Sequence, residues 1–128
     1  MKKIVLFTDS LGAGGAQRQL CGLAVMLNKL NYDVSVLTYH SSDFYKSYLA
    51  EHNLRNLIIG EGEGTIQRIL SIRKFIKREK SDCVIAYQET PALISSFIRS
   101  TGVKFHLVVS ERNTTQKISL RDKVRFSL

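Results

Sequence analysis

The sequence of 128 residues contains no tryptophan, one proline, two cysteines and three histidines. Cys21 and Cys83 stand 62 positions apart, with no Cys-x-x-Cys and no neighbouring histidine pair. A zinc site and a disulfide framework are therefore excluded as readings, and a reducing compartment is the default. Long apolar runs are missing too. After Met1-Lys2-Lys3 the apolar stretch covers only residues 4–7 before Thr8-Asp9, too short for a secretory core segment. Nothing approaches the ~20 apolar residues of a membrane span, so neither export by this route nor a spanning helix is expected. The lack of tryptophan removes a favoured stacking platform for single-stranded nucleic acid.

Carboxylates are scarce relative to cations: 11 Asp and Glu against 19 Lys and Arg, a net charge of +8. The imbalance is not spread evenly. Residues 1–63 hold six cations and six carboxylates, whereas residues 64–128 hold thirteen and five. Such asymmetry points to a polyanionic partner, whether nucleic acid, anionic membrane or phosphorylated substrate. With 44% hydrophobic and 23% charged residues, the composition is that of one folded domain and not of a disordered chain.

Residues 3–8 form a continuous apolar run that reads as a buried parallel strand. Leu20, Leu23, Ala24 and Leu27 recur at helical spacing within 16–30, and Asn31-Tyr32-Asp33 stops that helix. The alternation continues: strand 34–38, a short helix 43–51 capped by Ser42 or Asp43, strand 54–59, helix 65–80 and strand 83–87. Thr90-Pro91 fits an N-cap followed by proline at the first helical position, giving helix 91–100, and residues 105–110 read as a fifth strand. Strands alternating with helices imply an α/β fold: a doubly wound, Rossmann-like parallel sheet with helices on both faces. Residues 119–128 start like a helix and stop with no C-cap glycine and no following element, so the chain reads as cut within a larger protein.

Ligands of open α/β sheets sit beyond the carboxyl ends of the strands, which selects the loops starting at Asp9, Tyr39, Gly60, Gln88 and Ser110. The first is the most informative: Asp9-Ser10-Leu11-Gly12-Ala13-Gly14-Gly15-Ala16-Gln17-Arg18, joining strand to helix. Glycines let backbone N–H groups approach an anion closely, and a helix start adds partial positive charge. A phosphate or diphosphate is the expected guest. A Walker A loop would end in Gly-Lys-Ser/Thr, and a dinucleotide fingerprint would need glycine at Gln17 and an acidic residue where Thr38-Tyr39-His40 stands. Neither is present, so hydride transfer on NAD is not expected. Gln88 and Glu89, at the end of the fourth strand, are further cleft candidates with Asp9. His106 lies inside the fifth strand and reads as a strand residue.

Two stretches carry a family resemblance. Lys-Lys-Ile-Val-Leu-Phe followed by Asp-Ser-Leu-Gly-Ala-Gly-Gly-Ala-Gln-Arg, and Val108-Val109-Ser110-Glu111-Arg112-Asn113, resemble the amino-terminal domain of the family-4 retaining glycosyltransferases. The resemblance implies one half of a GT-B enzyme: residues 1–128 as an N-terminal acceptor-binding domain, with the C-terminal donor-binding domain absent from this chain and the chain inactive by itself. It implies a nucleotide-sugar donor as substrate, a glycan, lipid-linked or polysaccharide acceptor, no cofactor and no metal. Gly14 and Gly15 would approach the donor diphosphate. Gln17, Arg18, Glu111, Arg112 and Asn113 would face the acceptor, with Arg112 suited to clamp a phosphate. No catalytic nucleophile is expected, so positioning and charge stabilisation would carry the reaction.

The family implies cytoplasmic work on envelope polysaccharide. Cations of helix 65–80, with Arg121, Lys123 and Arg125, would meet anionic headgroups at the inner face of the membrane at ~1 kcal/mol per charge. Two other classes compete: a non-catalytic basic α/β module binding nucleic acid or another polyanion, and a stand-alone flavodoxin-like or receiver-type domain. The first would show steep salt-dependent oligonucleotide binding; with no recognition motif, nucleic acid is not the expected partner.

Overall fold

In the computed structural model, residues 2–12, 14–110 and 125–127 are described. The elements are β1 (Lys3–Phe7), α1 (Gly15–Lys29), β2 (Asp33–Thr38), α2 (Lys46–Glu51), β3 (Asn56–Ile58), α3 (Thr65–Glu79), β4 (Cys83–Tyr87), α4 (Glu89–Ser100), β5 (His106–Ser110) and β6 (Arg125–Ser127). They form one sheet of order β3-β2-β1-β4-β5-β6, parallel throughout except for β6, which runs antiparallel to β5. The expected doubly wound parallel sheet is what forms.

Period-two alternation in strands buried on both sides explains the two cores. Val5 and Phe7 of β1, Leu37 of β2 and Val84 and Ala86 of β4 pack with Ile72, Phe75 and Ile76 of α3 and Ile94 and Ile98 of α4. Ile4 and Leu6 of β1 and Val36 of β2 point the other way, onto Leu20, Cys21, Ala24 and Val25 of α1 and Leu49 of α2. The α1 stripe is rotated from the expected one: Leu23 and Leu27 only flank this core, and Cys21 lies in it. Burial pushes the Cys21 thiol up from 9.0 to about 11. A raised thiol pKa adds stability below the unfolded value that is lost as pH rises through the folded one. Unfolding free energy is therefore expected to fall between pH 9 and 11, with a shallower slope in Cys21→Ala, as measured by denaturant titration at each pH.

Several boundaries differ from those expected. Leu54 lies in the turn that closes α2, not in a strand: its N–H bonds to the Leu49 carbonyl at 2.9 Å after Asn53 turns left-handed, and β3 starts at Asn56. Helix α2 begins at Lys46, because Ser42 turns its hydroxyl to the Leu11 carbonyl (3.2 Å) and accepts the Phe44 N–H (3.4 Å) instead of capping the helix. Helix α4 starts at Glu89 with Gln88 in the cap position, so Thr90 is not the cap and Pro91 is the third helical residue. Proline is tolerated there because the N–H groups of a first turn have no intrahelical acceptor. The expected terminal helix is not what residues 125–127 form: they extend the sheet as β6. The rest of that stretch, like Glu111, Arg112 and Asn113, lies outside the described residues.

Candidate functional site in the crevice between the first and fourth strands

Strand order reverses at β1, whose neighbours are β2 on one side and β4 on the other. A sheet of this order opens a crevice beyond the carboxyl ends of its central strands. Two loops flank it, residues 8–14 after β1 and Gln88 after β4.

The first loop is tied down at its base. Thr8, fully buried, donates its N–H to the Leu37 carbonyl at 3.1 Å and its hydroxyl to Gln88 Oε1 at 3.0 Å. The Asp9 carbonyl accepts the N–H groups of Tyr39 (3.2 Å) and His40 (3.0 Å), and its carboxylate Oδ1 accepts the Ser10 N–H at 2.6 Å. Leu11 plugs the loop into the core on the α1 side. Beyond these anchors Gly14 and Gly15 are exposed.

Among the described residues nothing requires a glycine at either position. Gly14 has φ −166° and ψ 163°, extended backbone open to any residue, and a Cβ there would meet only the far end of the Gln17 side chain. A Cβ on Gly15 would have nothing within 4 Å among the described residues. The first bond of α1 is Arg18 N–H to the Gly14 carbonyl at 3.0 Å, and no side chain caps the helix. The N–H groups of Gly15, Ala16 and Gln17 thus have no helical acceptor, and no carboxylate stands in the first turn. Open amides at a helix start favour a bound anion.

On the far side, Gln88 has φ +75° and ψ 164°, a region nearly confined to glycine that costs about 1–3 kcal/mol. Its backbone N–H bonds to the Ser110 carbonyl at 3.3 Å, its carbonyl accepts Ala92 N–H at 3.2 Å, and Thr8 holds its side chain. The strained residue is clamped by two strand ends and the first turn of α4, which exposed Glu89 opens beside it. Asp9, Gln88 and Glu89 are thus brought to one crevice with the glycine turn, and Gln17 and Arg18 follow on the first turn of α1.

Sequence reasoning missed Thr8 and the pairing of Arg68 with Tyr39, which it named only as the start of a candidate loop. The Arg68 guanidinium lies 4.5 Å from the Tyr39 ring centroid, and its Nε donates to the Gly60 carbonyl at 3.2 Å. Burial and then the Asp9 carboxylate hold the Tyr39 phenol above its usual range, against the pull of Arg68 and Thr90. A polar residue closing an apolar strand was the available signal for Thr8; nothing local marks the Tyr39–Arg68 pair. Arg68 also drops out of the free basic edge expected for helix 65–80, as does Arg73, whose Nε donates to Thr101 Oγ1 at 2.9 Å. Lys74, Lys77, Arg78 and Lys80 remain exposed. His106 is exposed at the start of β5, the end of the sheet away from the crevice. Among the described residues no group of three or more His, Cys, Asp or Glu could hold a metal ion.

Over 120 residues, 88% of its length, the chain is 27% identical to a Campylobacter jejuni protein. That protein is GalNAc-alpha-(1->4)-GalNAc-alpha-(1->3)-diNAcBac-PP-undecaprenol alpha-1,4-N-acetyl-D-galactosaminyltransferase, and the chain spans 33% of its length. The crystal structure of MurG from Acinetobacter baumannii superposes on 98% of this chain and 40% of that one with a TM-score of 0.65 at 17% identity. It is similar to glycosyltransferases in sequence and fold. A glycosyltransferase from Rickettsia africae gives a TM-score of 0.63 at 15% identity, over 92% of this chain and 33% of that one. The α/β fold is thus the one found within GT-B glycosyltransferases such as MurG. No family model matches the chain. Among the described residues no helix is long and apolar enough to cross a membrane.

Proposed function

We propose that this chain is the N-terminal, acceptor-side domain of a family-4 retaining glycosyltransferase, which moves a sugar from a nucleotide-sugar donor to a lipid-linked or polysaccharide acceptor. One observation carries the reading: an anchored turn at the crevice presents glycines that neither backbone conformation nor packing among the described residues requires, with three open helix amides behind them. Glycines unexplained from within leave room for something from outside to come close. The similarity to a transferase whose name specifies an undecaprenol-diphosphate glycan supports a lipid-linked acceptor.

In this reading Gly14 and Gly15 meet the donor diphosphate, their amides and the helix start offsetting charge on the leaving nucleotide. Gln17, Arg18, Glu111, Arg112 and Asn113 orient the acceptor, and Asp9, Gln88 and Glu89 complete the wall. The reaction needs no nucleophile from this domain; positioning and charge stabilisation suffice. The other half of the cleft, with the donor-binding groups, comes from a second domain, so this chain alone binds without transferring and uses no metal. Work on a lipid-linked acceptor places the protein at the cytoplasmic face of the membrane, where the exposed Ile66 and Leu70 of α3, followed by Lys74 and Lys77, suit an anionic lipid surface.

The acceptor assignment is tested in the protein that contains this chain, assayed with nucleotide sugar and a lipid-linked glycan. Loss of a bidentate charged contact costs about 2 kcal/mol, roughly thirtyfold. Arg112→Ala is therefore expected to raise the acceptor KM about thirtyfold with the donor KM little changed. An equal rise in both would contradict the acceptor role of Arg112.

A further inference from the structure

At the opposite end of the sheet, where β4 and β5 begin, the structure holds a second concave site that the sugar-transfer reading does not use. A cavity of about 570 Å³ is lined by Ser81, Asp82, Arg99, Gly102, Lys104 and His106 among others. It adjoins a second of about 310 Å³ that shares Ser81, Asp82 and Lys104 and adds Lys77 and Lys80. The larger volume falls within the ~300–1,000 Å³ of small-molecule sites.

Two polar atoms here are buried without a hydrogen-bond partner among the described residues: Ser81 Oγ and Arg99 Nη1. Both residues line the larger cavity, and Ser81 is only 5% exposed. Buried donors are almost always satisfied, so an orphan calls for an explanation. Among the described residues neither atom finds a hydrogen-bond partner. The Ile76 carbonyl takes the Ser81 backbone N–H at 3.3 Å, and the closing carbonyls of α4 are engaged, Ile98 by Thr101 and Arg99 by Gly102. Asp82 Oδ2 accepts the Lys3 backbone N–H at 2.8 Å. Against this one carboxylate stand Lys77, Lys80, Arg99 and Lys104.

We infer that this concavity is a binding site for a phosphate or diphosphate group. A phosphoryl group brings several acceptor oxygens on one centre, which a planar guanidinium, a hydroxyl and flanking ammonium groups can share. A neutral ligand would leave the cations uncompensated, and a cation would meet only Asp82. The group can arrive as a soluble phosphate or on a lipid headgroup. The site is independent of the crevice: Ser81 and Asp82 precede β4 and Gln88 follows it.

The test follows backbone amide resonances of the 128-residue chain in phosphate-free buffer, titrated with sodium pyrophosphate at constant ionic strength. Saturable shifts are expected at residues 81–82 and 99–106. Affinity is expected to fall at least tenfold in Ser81→Ala, with no loss of thermal midpoint without ligand, because the hydroxyl makes no hydrogen bond to lose. Arg99→Gln is expected to behave likewise. Should it not fold, Lys104→Gln, at an exposed position, is expected to weaken binding about threefold. No saturable shift, unchanged affinity in Ser81→Ala, or shifts confined to residues 12–17 and 88 would overturn the site; the last would place pyrophosphate in the crevice. Vesicles of phosphatidylglycerol and of phosphatidylcholine separate the sources. Binding to the first that pyrophosphate displaces and Ser81→Ala weakens identifies a headgroup, and pyrophosphate affinity with no such vesicle binding identifies a soluble ligand.

Discussion

Replacing Gly15 with valine, in the protein that contains this chain, is expected to lower sugar transfer at least a hundredfold and leave the thermal midpoint unchanged. The expected loss is that of one preorganised N–H donor aimed at developing charge, about 10²–10³ in rate. A branched side chain at the start of α1 would hold a diphosphate away from the amides of Gly15, Ala16 and Gln17. The fold has no reason to object: no atom of the described residues lies within 4 Å of the added Cβ, and valine is a better helix former than glycine. Steady-state turnover and a melting curve on the same preparation decide it. Unchanged turnover would remove the turn from the site; an unfolded variant would give the glycine a structural role.

The opposite result is expected from the same substitution at Gly60. There φ is +87°, and a Cβ would stand 2.8 Å from Arg68 Cγ and 3.3 Å from Arg68 Cα. A β-branched residue at positive φ meets backbone strain, and the collision adds overpacking, together about 3 kcal/mol. Gly60→Val should therefore lower the midpoint by roughly 10 °C. It should also disturb the Arg68 side chain, which donates to the Gly60 carbonyl and stacks on Tyr39. A midpoint within a degree of the parent would mean that the turn relaxes freely. Two glycines in two loops after strands look alike in the sequence, and the structure gives them different reasons: Gly60 serves the fold, Gly15 leaves space.

That contrast marks how far the residues could be read in order. Apolar runs and helical stripes report on neighbours a few positions away, so β1, β2, β4, β5, α1 and α3 were legible within a residue or two. The glycine turn was legible for the same reason. Short elements were not, because a few residues carry too little periodicity to outweigh local hydrogen bonding: Leu54 went to the turn that closes α2, and Ser42 to the Leu11 carbonyl. The β6 residues, Arg125–Ser127, were read as part of a helix. A three-residue edge strand draws its stability from its neighbour, and no local pattern announces that neighbour.

Alternation of strand and helix, the anion-friendly turn and the excess of positive charge are properties of the sequence taken a few residues at a time, and they determined the fold class and the kind of ligand to expect. Which loops meet was decided only by tertiary structure. The pairing of β1 with β4 sets Thr8 against Gln88 across 80 positions, holds Gln88 in a conformation it would not adopt alone, and makes the crevice. The same long-range packing buries Ser81 Oγ and Arg99 Nη1 at the far end, without a hydrogen-bond partner among the described residues. Contacts of that separation depend on which strands are neighbours, and strand order arises from the burial of both sheet faces at once.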